Sequence, residues 1–264
     1  MLGPKESYIN SSAYDLLPFP SSLQWLLQQQ LRHLTLVSRT GLFTPDSQVM
    51  LTTAASGAAV TLSKCDAGYQ ADVAAAVCET SGPRMAGLMH AGGVLADATV
   101  AKQTAAGVKA VFAPKATAFT HLSGSLGGQP LETSVLFSSV AALLGSVGQL
   151  NYSIANSWLD AAASTQQAAG TAVTSVQFGA WKGAGMAAAS ATKMEAMGLG
   201  ALSATSGLAA LQGLLRASVA QPVAAQVAMT PVHWPAFLQS VPSVPAYFSE
   251  FAHHKAASEQ QAAP

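Results

Sequence analysis

Four side chains in the middle of the chain have the types and spacing for chemistry on a carbonyl group. Ser139 follows the apolar run Val135–Phe137, which turn residues bound and which predicts a buried strand. Tyr152 comes thirteen residues later and Asn156 four after that, so a helix would place phenol and amide on one face. Together with a buried lysine, these groups could hold a carbonyl oxygen and deliver a proton to it.

The lysine is Lys115, which lies within the predicted helix Val100–Leu122. It falls four residues after Val111 and four before Phe119, so it interrupts the apolar stripe of that helix. Two interpretations are open: a snorkelling stem at the edge of the stripe, or a desolvated ammonium that points at a site. Tyr152 and Asn156 also have a purely structural interpretation, in which the phenol packs in the core and the amide has its hydrogen bonds made within the protein.

The elements that must position these side chains alternate between short strands and longer helices. This alternation predicts an α/β fold with a doubly wound parallel sheet. The predicted strands are Leu34–Val37, Ala58–Leu62 and Val135–Phe137, with Ala86–Met89 and Ala172–Gln177 as weaker members. The predicted helices are Asp72–Cys78, Val100–Leu122, Leu150–Gln167 and Ser206–Ser218. Strand ends in such a sheet meet at one edge, where open α/β proteins bind their ligands.

The composition of the 264-residue chain excludes several classes of protein. Half of the residues are hydrophobic, which excludes disorder throughout the chain. Twelve basic residues balance twelve acidic ones without a basic cluster, so the electrostatic basis of nucleic-acid binding is missing. No apolar stretch approaches the ~20 residues of a membrane helix, and no secretion signal is present. Cys65 and Cys78 match no zinc or disulfide pattern, so we expect reduced thiols, no metal site and a cytoplasmic location.

Several segments together resemble the ketoreductase domains of modular polyketide synthases and animal-type fatty acid synthases, within the short-chain dehydrogenase/reductase superfamily. They cover roughly residues 31–250 and are His33–Gly41, Ser63–Gly68, Gly87–Val100, Val111–Leu122, Phe137–Ala163 and Ser175–Ala187. The resemblance implies a Rossmann-like fold with strand order 3-2-1-4-5. It also implies NADPH-dependent reduction of a β-ketoacyl thioester on an acyl carrier protein to the 3-hydroxyacyl product, in polyketide or fatty acid biosynthesis.

The catalytic roles follow from the same resemblance. Ordinary short-chain dehydrogenases carry a lysine four residues after the tyrosine, whereas this chain has Asn156 there and supplies Lys115 from the preceding helix. The polyketide and fatty-acid ketoreductases show the same exchange. The implied roles are Tyr152 as proton donor, Ser139 as carbonyl anchor, Lys115 as pKa-lowering cation and ribose contact, and Asn156 as organiser of a proton-relay water.

The resemblance also implies where NADPH would bind. Ser38 and Arg39 follow the second strand, where an arginine can pair with the 2′-phosphate that NADH lacks. An ordinary solvated arginine is the alternative. Asp66 would accept a hydrogen bond from the adenine amine. The residues that would let the backbone approach the nicotinamide ribose are Ala91, Gly92 and Gly93.

Four residues are assigned to the substrate groove, namely Leu95, Asp97, Leu144 and Met186. Family members that give a D-configured hydroxyl carry Leu-Asp-Asp where this chain has Leu95, Ala96 and Asp97. Those that give the L-alcohol carry a tryptophan at the position of Leu144. The resemblance therefore implies a D-3-hydroxyacyl product. The plain alternative for Asp97 is a cap on a helix that starts at Ala98.

The chain departs from the family pattern at its N-terminus. The family has a glycine-rich turn that cradles the pyrophosphate after its first strand, but this chain has no glycine between Gly3 and Gly41. A helix that starts near Ser21 and Ser22 could still present its N-terminus to an anion. The candidates for the central first strand are Ser7–Ser12 and Tyr14–Phe19, and neither has a good strand sequence.

We therefore expect a degenerate N-terminal segment at 1–30, a ketoreductase domain at 31–252 and a disordered tail at 253–264. Two function classes stay open. The first is an active reductase that works with an acyl carrier protein and other synthase domains, away from nucleic acid and membranes. The second is a catalytically impaired domain that serves as a structural scaffold in a multidomain synthase.

Overall fold

A seven-stranded parallel sheet organises the part of the chain that the computed structural model describes. The described residues are 8–12, 25–26, 28, 31, 33–41, 59–79, 85–127, 129, 131–183, 191–220 and 223–255. The strands are β1 (Tyr8–Ser12), β2 (His33–Ser38), β3 (Ala59–Lys64), β4 (Gly87–Ala91), β5 (Thr133–Ser139), β6 (Val173–Phe178) and β7 (Gln226–Met229). Their order across the sheet is β3-β2-β1-β4-β5-β6-β7, which confirms the doubly wound parallel fold.

The helices lie between the strands in chain order. They are α1 (Gln70–Glu79), α2 (Ala105–Phe112), α3 (Ala118–Ser125), α4 (Val140–Leu144), α5 (Leu150–Ala168), α6 (Ala191–Ala196), α7 (Ala204–Ala220) and α8 (Trp234–Gln239). Short 3₁₀ turns span Val100–Lys102 and Ala246–Phe251. None of the described helices is long and apolar enough to cross a membrane.

Both faces of the sheet are covered, as a parallel sheet requires. On one face, Leu36 and Val135 belong to an apolar cluster that includes Leu211 of α7. On the other, Leu136 packs in a cluster with Leu159 of α5 and with side chains of α1 and α3. β2, β4, β5 and β6 are buried along nearly their whole length, which is why mostly apolar runs mark them in the sequence, whereas β3 is mostly exposed.

The central strand is the first of the two candidates, because β1 spans Tyr8–Ser12. It pairs in parallel with β2 on one side and with β4 on the other, so the described sheet has no seam. The fold thus includes residues that the sequence assigned to a separate N-terminal segment. The helix start predicted near Ser21 and the candidate Tyr14–Phe19 lie outside the described residues.

The predicted continuous helix Val100–Leu122 is wrong. The 3₁₀ turn ends at Lys102, and Thr104 caps α2, because its hydroxyl accepts a hydrogen bond from the backbone N–H of Gly107 at 3.0 Å. Pro114 has no N–H to donate, and the chain forms a π-helical turn over Ala113–Thr117 before α3 begins. Lys115 lies in this turn.

The end of the fold also differs from the expectation. The predicted disordered tail starts at His253, yet residues 253–255 form a helical turn. Lys255 Nζ donates a hydrogen bond to the carbonyl oxygen of Val241 at 2.9 Å, which ties this turn to the segment after α8. Residues 256–264 lie outside the described part of the chain.

Candidate active site

Lys115 is held inside the protein by two neighbouring strands. Its side chain is fully buried, and its Nζ donates a hydrogen bond to the carbonyl oxygen of Phe137 on β5 at 2.9 Å. Its own carbonyl oxygen accepts a hydrogen bond from Nε2 of His90 on β4 at 2.9 Å, because a carbonyl can only accept. The snorkelling interpretation is therefore wrong, and the ammonium points at the carboxyl end of β5.

Burial changes the charge of this pair of groups. Desolvation lowers the pKa of Lys115 from 10.5 to about 7, although the negative charge of Asp160 opposes this shift. Desolvation and the Lys115 charge lower the pKa of His90 from 6.5 to about 4. At neutral pH, His90 is therefore a neutral hydrogen-bond donor, while Lys115 lies near its point of half-protonation.

Tyr152 and Asn156 lie one turn apart on α5, as the spacing predicted. Both are buried, and Asn156 Nδ2 donates a hydrogen bond to the carbonyl oxygen of Tyr152 at 2.8 Å. The Lys115 Nζ lies 5.5 Å from the centre of the Tyr152 ring. Asn156 Oδ1 is buried and accepts no hydrogen bond within the described structure, so a polar acceptor remains open beside the phenol.

The phenol titrates differently from the expectation. The pKa of Tyr152 is raised above its usual value, first because the group is buried, and hydrogen bonds with the side chains of Ser139 and Asn156 oppose this shift. Lys115 is not among the groups that shift this pKa, and its ammonium donates its hydrogen bond to the Phe137 carbonyl. The raised pKa keeps the proton on Tyr152 at neutral pH.

Ser139 ends β5 and begins α4. Its Oγ accepts a hydrogen bond from the backbone N–H of Ala141 at 3.1 Å, which caps the helix. The same hydroxyl lies beside the Tyr152 phenol and lines a cavity with it. The structure therefore brings Ser139, Tyr152, Lys115 and Asn156 together at the carboxyl end of β5.

The cavity at this edge has a volume of about 600 Å³, which is within the range of small-molecule sites. Ser139 and Tyr152 supply polar groups in its wall, and most of the rest is apolar. The apolar lining includes Leu95, Leu144, Phe178, Trp181, Met194, Met197 and Leu199. A ligand with an apolar chain and one polar reacting group would fit these walls.

Three of the four predicted groove residues line this cavity: Leu95, Asp97 and Leu144. Asp97 Oδ2 accepts a hydrogen bond from Nε2 of Gln149 at 3.0 Å, which joins the loop after β4 to the start of α5. The alternative role for Asp97, a helix cap at Ala98, is wrong because the following 3₁₀ turn begins only at Val100. Met186 lies outside the described residues.

The residues predicted to hold a cofactor lie along the same sheet edge. Ser38 and Arg39 are at the end of β2, where Ser38 Oγ accepts a hydrogen bond from the N–H of Gly41 at 3.0 Å and Arg39 is exposed. Asp66 follows β3, and its Oδ1 accepts a hydrogen bond from the N–H of Gly68 at 2.9 Å. Strand spacing places β2 about 14 Å from β5 along this edge.

The loop after β4 has a packing role that the sequence did not indicate. A Cβ on Gly92 would overlap the carbonyl oxygen of Pro114, so a side chain here would displace the π-helical turn that carries Lys115. Ala91 is fully buried, and Gly93 is buried beside it. Gly92 thus permits a close approach between two parts of the protein.

Sequence reasoning missed the groups that position the ammonium. The π-helical turn had one signal, the proline directly before Lys115. Asp160 had another, since it lies eight residues after Tyr152 and thus on the same helix face. His90 had no signal beyond its place at the end of a strand. Among the described residues, no group of three or more His, Cys, Asp or Glu could hold a metal ion.

Comparison with known proteins gives a consistent result. The family model described as "KR domain" matches residues 20–183. The polyketide synthase GfsA of Streptomyces halstedii is 38% identical over 156 residues, which are 58% of this chain and 2% of that protein. The phthioceranic/hydroxyphthioceranic acid synthase of Mycobacterium tuberculosis (strain ATCC 25618 / H37Rv) is 39% identical over 147 residues, 53% of this chain and 7% of that protein.

Solved structures agree with these relatives. A structure described as A-type ketoreductases from a modular polyketide synthase is 29% identical, with a TM-score of 0.80 over 91% of this chain and 51% of that chain. An A1-type ketoreductase is 27% identical, with a TM-score of 0.84 over 97% of this chain and 54% of that one. The chain thus spans about half the length of these structures and a small part of the synthases.

Proposed function

We infer the function of this chain from its family: it belongs to the KR domain family, the ketoreductase domains of modular polyketide synthases in the short-chain dehydrogenase/reductase superfamily. On this basis we propose that it reduces a β-ketoacyl thioester on an acyl carrier protein to the 3-hydroxyacyl product, with NADPH as reductant. The substrate, the carrier protein and the other synthase domains would be its partners in a cytoplasmic multidomain synthase.

One observation carries the proposal. A buried phenol with a raised pKa and a serine hydroxyl line a cavity whose other walls are mostly apolar, and a buried ammonium lies 5.5 Å from the centre of the phenol ring. A thioester chain could lie along the apolar walls while its ketone faces Ser139 and Tyr152. Asp97 also lines the cavity, but its carboxylate accepts a hydrogen bond from Gln149, and the hydroxyls of Ser139 and Tyr152 can donate to a carbonyl oxygen.

The residues of this chain would handle the proton. The Ser139 hydroxyl would donate a hydrogen bond to the ketone oxygen and hold it next to the phenol. Tyr152 would then transfer its proton to that oxygen as negative charge develops there, since its raised pKa keeps the proton in place until the reaction. The protonated Lys115, 5.5 Å from the ring centre, would stabilise the phenolate that remains.

Asn156 would help to restore the phenol. Its buried Oδ1 has no hydrogen-bond partner among the described residues and can hold a water molecule. Such a water would pass a proton back to the Tyr152 phenolate. Removing this acceptor would slow reprotonation while leaving the substrate contacts in place.

The chain's residues fit a dinucleotide at the two ends of the sheet edge. The sheet order reverses between β1 and β4, which is where doubly wound folds bind dinucleotides. Arg39 at the β2 end could pair with a 2′-phosphate, and Lys115 with Tyr152 could contact the nicotinamide ribose at the β5 end. When bound, NADPH would supply the hydride that the carbonyl carbon receives.

The scaffold alternative is favoured by the missing glycine-rich turn. The residues between Gly3 and Gly41 include no glycine, and Pro18 and Pro20 cannot donate backbone hydrogen bonds to a phosphate. We therefore expect NADPH to bind more weakly than to a domain with a complete phosphate loop. A pure scaffold would bind no NADPH at all.

The experiment that separates the two functions titrates the purified chain with NADPH and follows the fluorescence of the bound nicotinamide. A second arm incubates the chain with NADPH and a β-ketoacyl pantetheine thioester and identifies the product by chromatography. Saturable binding with formation of a 3-hydroxyacyl thioester supports the reductase. Absence of both at millimolar NADPH supports the scaffold and contradicts the proposed function.

A further inference from the structure

Asp160 is a buried carboxylate for which the proposed reaction has no use. It lies on α5, four residues after Asn156 and eight after Tyr152, so the three side chains share one face of the helix. Eight residues of helix advance about 12 Å, so Asp160 lies about two turns along α5 from Tyr152. It is buried, and a buried carboxylate needs both hydrogen bonds and a balancing charge.

Two side chains of β6 satisfy the hydrogen bonds. Ser175 Oγ donates to Asp160 Oδ1 at 2.6 Å, and Gln177 Nε2 donates to Oδ2 at 2.8 Å. Both carboxylate oxygens therefore act as acceptors, as expected for the ionised form. Ser175 and Gln177 are two residues apart and face the same side of the sheet, so the carboxylate fastens α5 across β6.

The charge that balances the Asp160 carboxylate is the ammonium of Lys115. The Lys115 ammonium donates its hydrogen bond to the carbonyl of Phe137. Phe137 pairs with Val176 of β6, the residue between Ser175 and Gln177. Neighbouring strands lie about 4.8 Å apart, so the carboxylate and the ammonium are held over adjacent strands at the same register. The charge of Asp160 acts on the ammonium across this short span, since it opposes the lowering of the Lys115 pKa.

Other groups that face Lys115 provide no negative charge. These groups are neutral His90 from β4, the Tyr152 ring from α5 and the Phe137 carbonyl from β5. The negative charge of Asp97, in the loop after β4, raises the pKa of Tyr152. Among the described residues, Asp160 is the acidic group whose charge acts on the ammonium.

We propose that Asp160 is a positioning residue of the site, which fixes the Tyr152-bearing face of α5 on β6 and supplies the negative charge that balances the Lys115 ammonium. This role rests on the proposed function, in which Lys115 is the cation of the reductase site. Asp160 touches neither substrate nor cofactor, and it acts through Lys115 and through the placement of α5.

The test is an NMR titration of Lys115 in protein labelled with ¹³Cε-lysine, without substrate or cofactor. Asp160→Asn removes the charge and keeps the shape, and Gln177 can rotate its amide to accept from the new side chain. We expect the pKa of Lys115 to fall by about one unit in this variant, since an opposite charge has been removed nearby. An unchanged pKa in folded Asp160→Asn would overturn the proposal.

Ser164→Ala is the matched control. Ser164 lies one turn further along α5 and also links the helix to a strand, because its Oγ accepts a hydrogen bond from Gln226 Nε2 at 3.0 Å. This link carries no charge, so its loss should leave the Lys115 pKa unchanged. A shift as large as that of Asp160→Asn would show that loosening the helix is sufficient and would overturn the charge role.

A reciprocal measurement covers the case in which Asp160→Asn does not fold. In the unmutated protein, the ¹³Cγ resonance of Asp160 should shift at the pH where Lys115 titrates, and absence of that step would contradict the proposal. Activity then separates this proposal from the function itself. If the chain reduces no β-ketoacyl thioester but Asp160→Asn shifts the Lys115 pKa, the role of Asp160 is supported and the proposed function is contradicted. If the chain is active but the Lys115 pKa does not shift, the proposed function is supported and the role of Asp160 is contradicted.

In an active chain, Asp160→Asn should also lower the pH at which kcat declines on the alkaline side, because Lys115 loses its proton earlier. KM should change less than kcat, since the residue does not contact substrate. Equal changes in kcat and KM with an unmoved pH profile would indicate a merely structural role and would contradict the proposal.

Discussion

Replacing Lys115 with methionine tests whether the site contains a desolvated, titrating ammonium. The group is fully buried, and burial lowers its pKa from 10.5 to about 7. Between these values the unfolded chain binds a proton that the folded chain does not, so the free energy of unfolding rises with pH in this window. The slope is about 0.7 kcal/mol per pH unit at pH 7, where Lys115 is half-protonated, and approaches about 1.4 kcal/mol per unit above pH 8, so the rise between pH 7 and pH 9 is about 2 kcal/mol.

Methionine carries no charge, so the Lys115→Met variant should lack this rise. It also leaves the Phe137 carbonyl without its hydrogen bond, at a cost of about 1–3 kcal/mol that does not depend on pH. We therefore expect the free energy of unfolding of the variant, relative to wild type, to fall by about 2 kcal/mol between pH 7 and pH 9. Urea unfolding followed by tryptophan fluorescence at several pH values measures this difference.

The matched control for this measurement is Lys109→Met. Lys109 is exposed on α2, before the π-helical turn, so its replacement should change stability by the same small amount at every pH. If the Lys115→Met difference is equally constant across pH 7 to 9, the ammonium does not titrate in this window. The argument that it is a desolvated group would then be refuted.

Three further predictions concern the cofactor loop, the cofactor and the groove. Gly92→Ala should lower the free energy of unfolding by about 1–3 kcal/mol, because the new Cβ would overlap the Pro114 carbonyl oxygen. Urea unfolding measures this change, and Gly124→Ala is the control because a Cβ there meets open space. Arg39→Ala should abolish a preference for NADPH over NADH in steady-state rates without abolishing activity, and an unchanged preference would contradict its role. Leu144→Trp should raise the L-alcohol fraction above the predominantly D product expected for wild type, as chiral chromatography can show.

The parallel sheet was predictable because four of its strands, β2, β4, β5 and β6, are buried on both faces. Runs such as Leu34–Val37 are mostly apolar, and helical segments separate them. The sequence of β1, Tyr8–Ser12, is too polar to be recognised in this way, and its place depends on pairing with β2 and β4. The four-residue edge strand Gln226–Met229 was missed because so short a run does not stand out from a loop.

The site was predictable as a set of residues but not as an electrostatic arrangement. Helical spacing identifies Lys115 as an anomaly and places Tyr152 with Asn156. Spacing carries no information on how deeply a group is buried, and burial decides that the pKa of the phenol is raised rather than lowered. The contribution of Asp160 depends on hydrogen bonds to a strand that comes later in the chain, so no local pattern reveals it.

Single-turnover reduction by Tyr152→Phe tests the central claim most directly, because the change removes only the transferable proton and leaves the buried ring in place. Wild type and variant would be mixed with NADPH and a β-ketoacyl pantetheine thioester, and the 3-hydroxyacyl product quantified by chromatography. Equal NADPH fluorescence in the two proteins would show that binding is intact. We predict product from wild type and a loss of about 100-fold or more in the rate for the variant. Wild-type turnover by Tyr152→Phe would contradict the account.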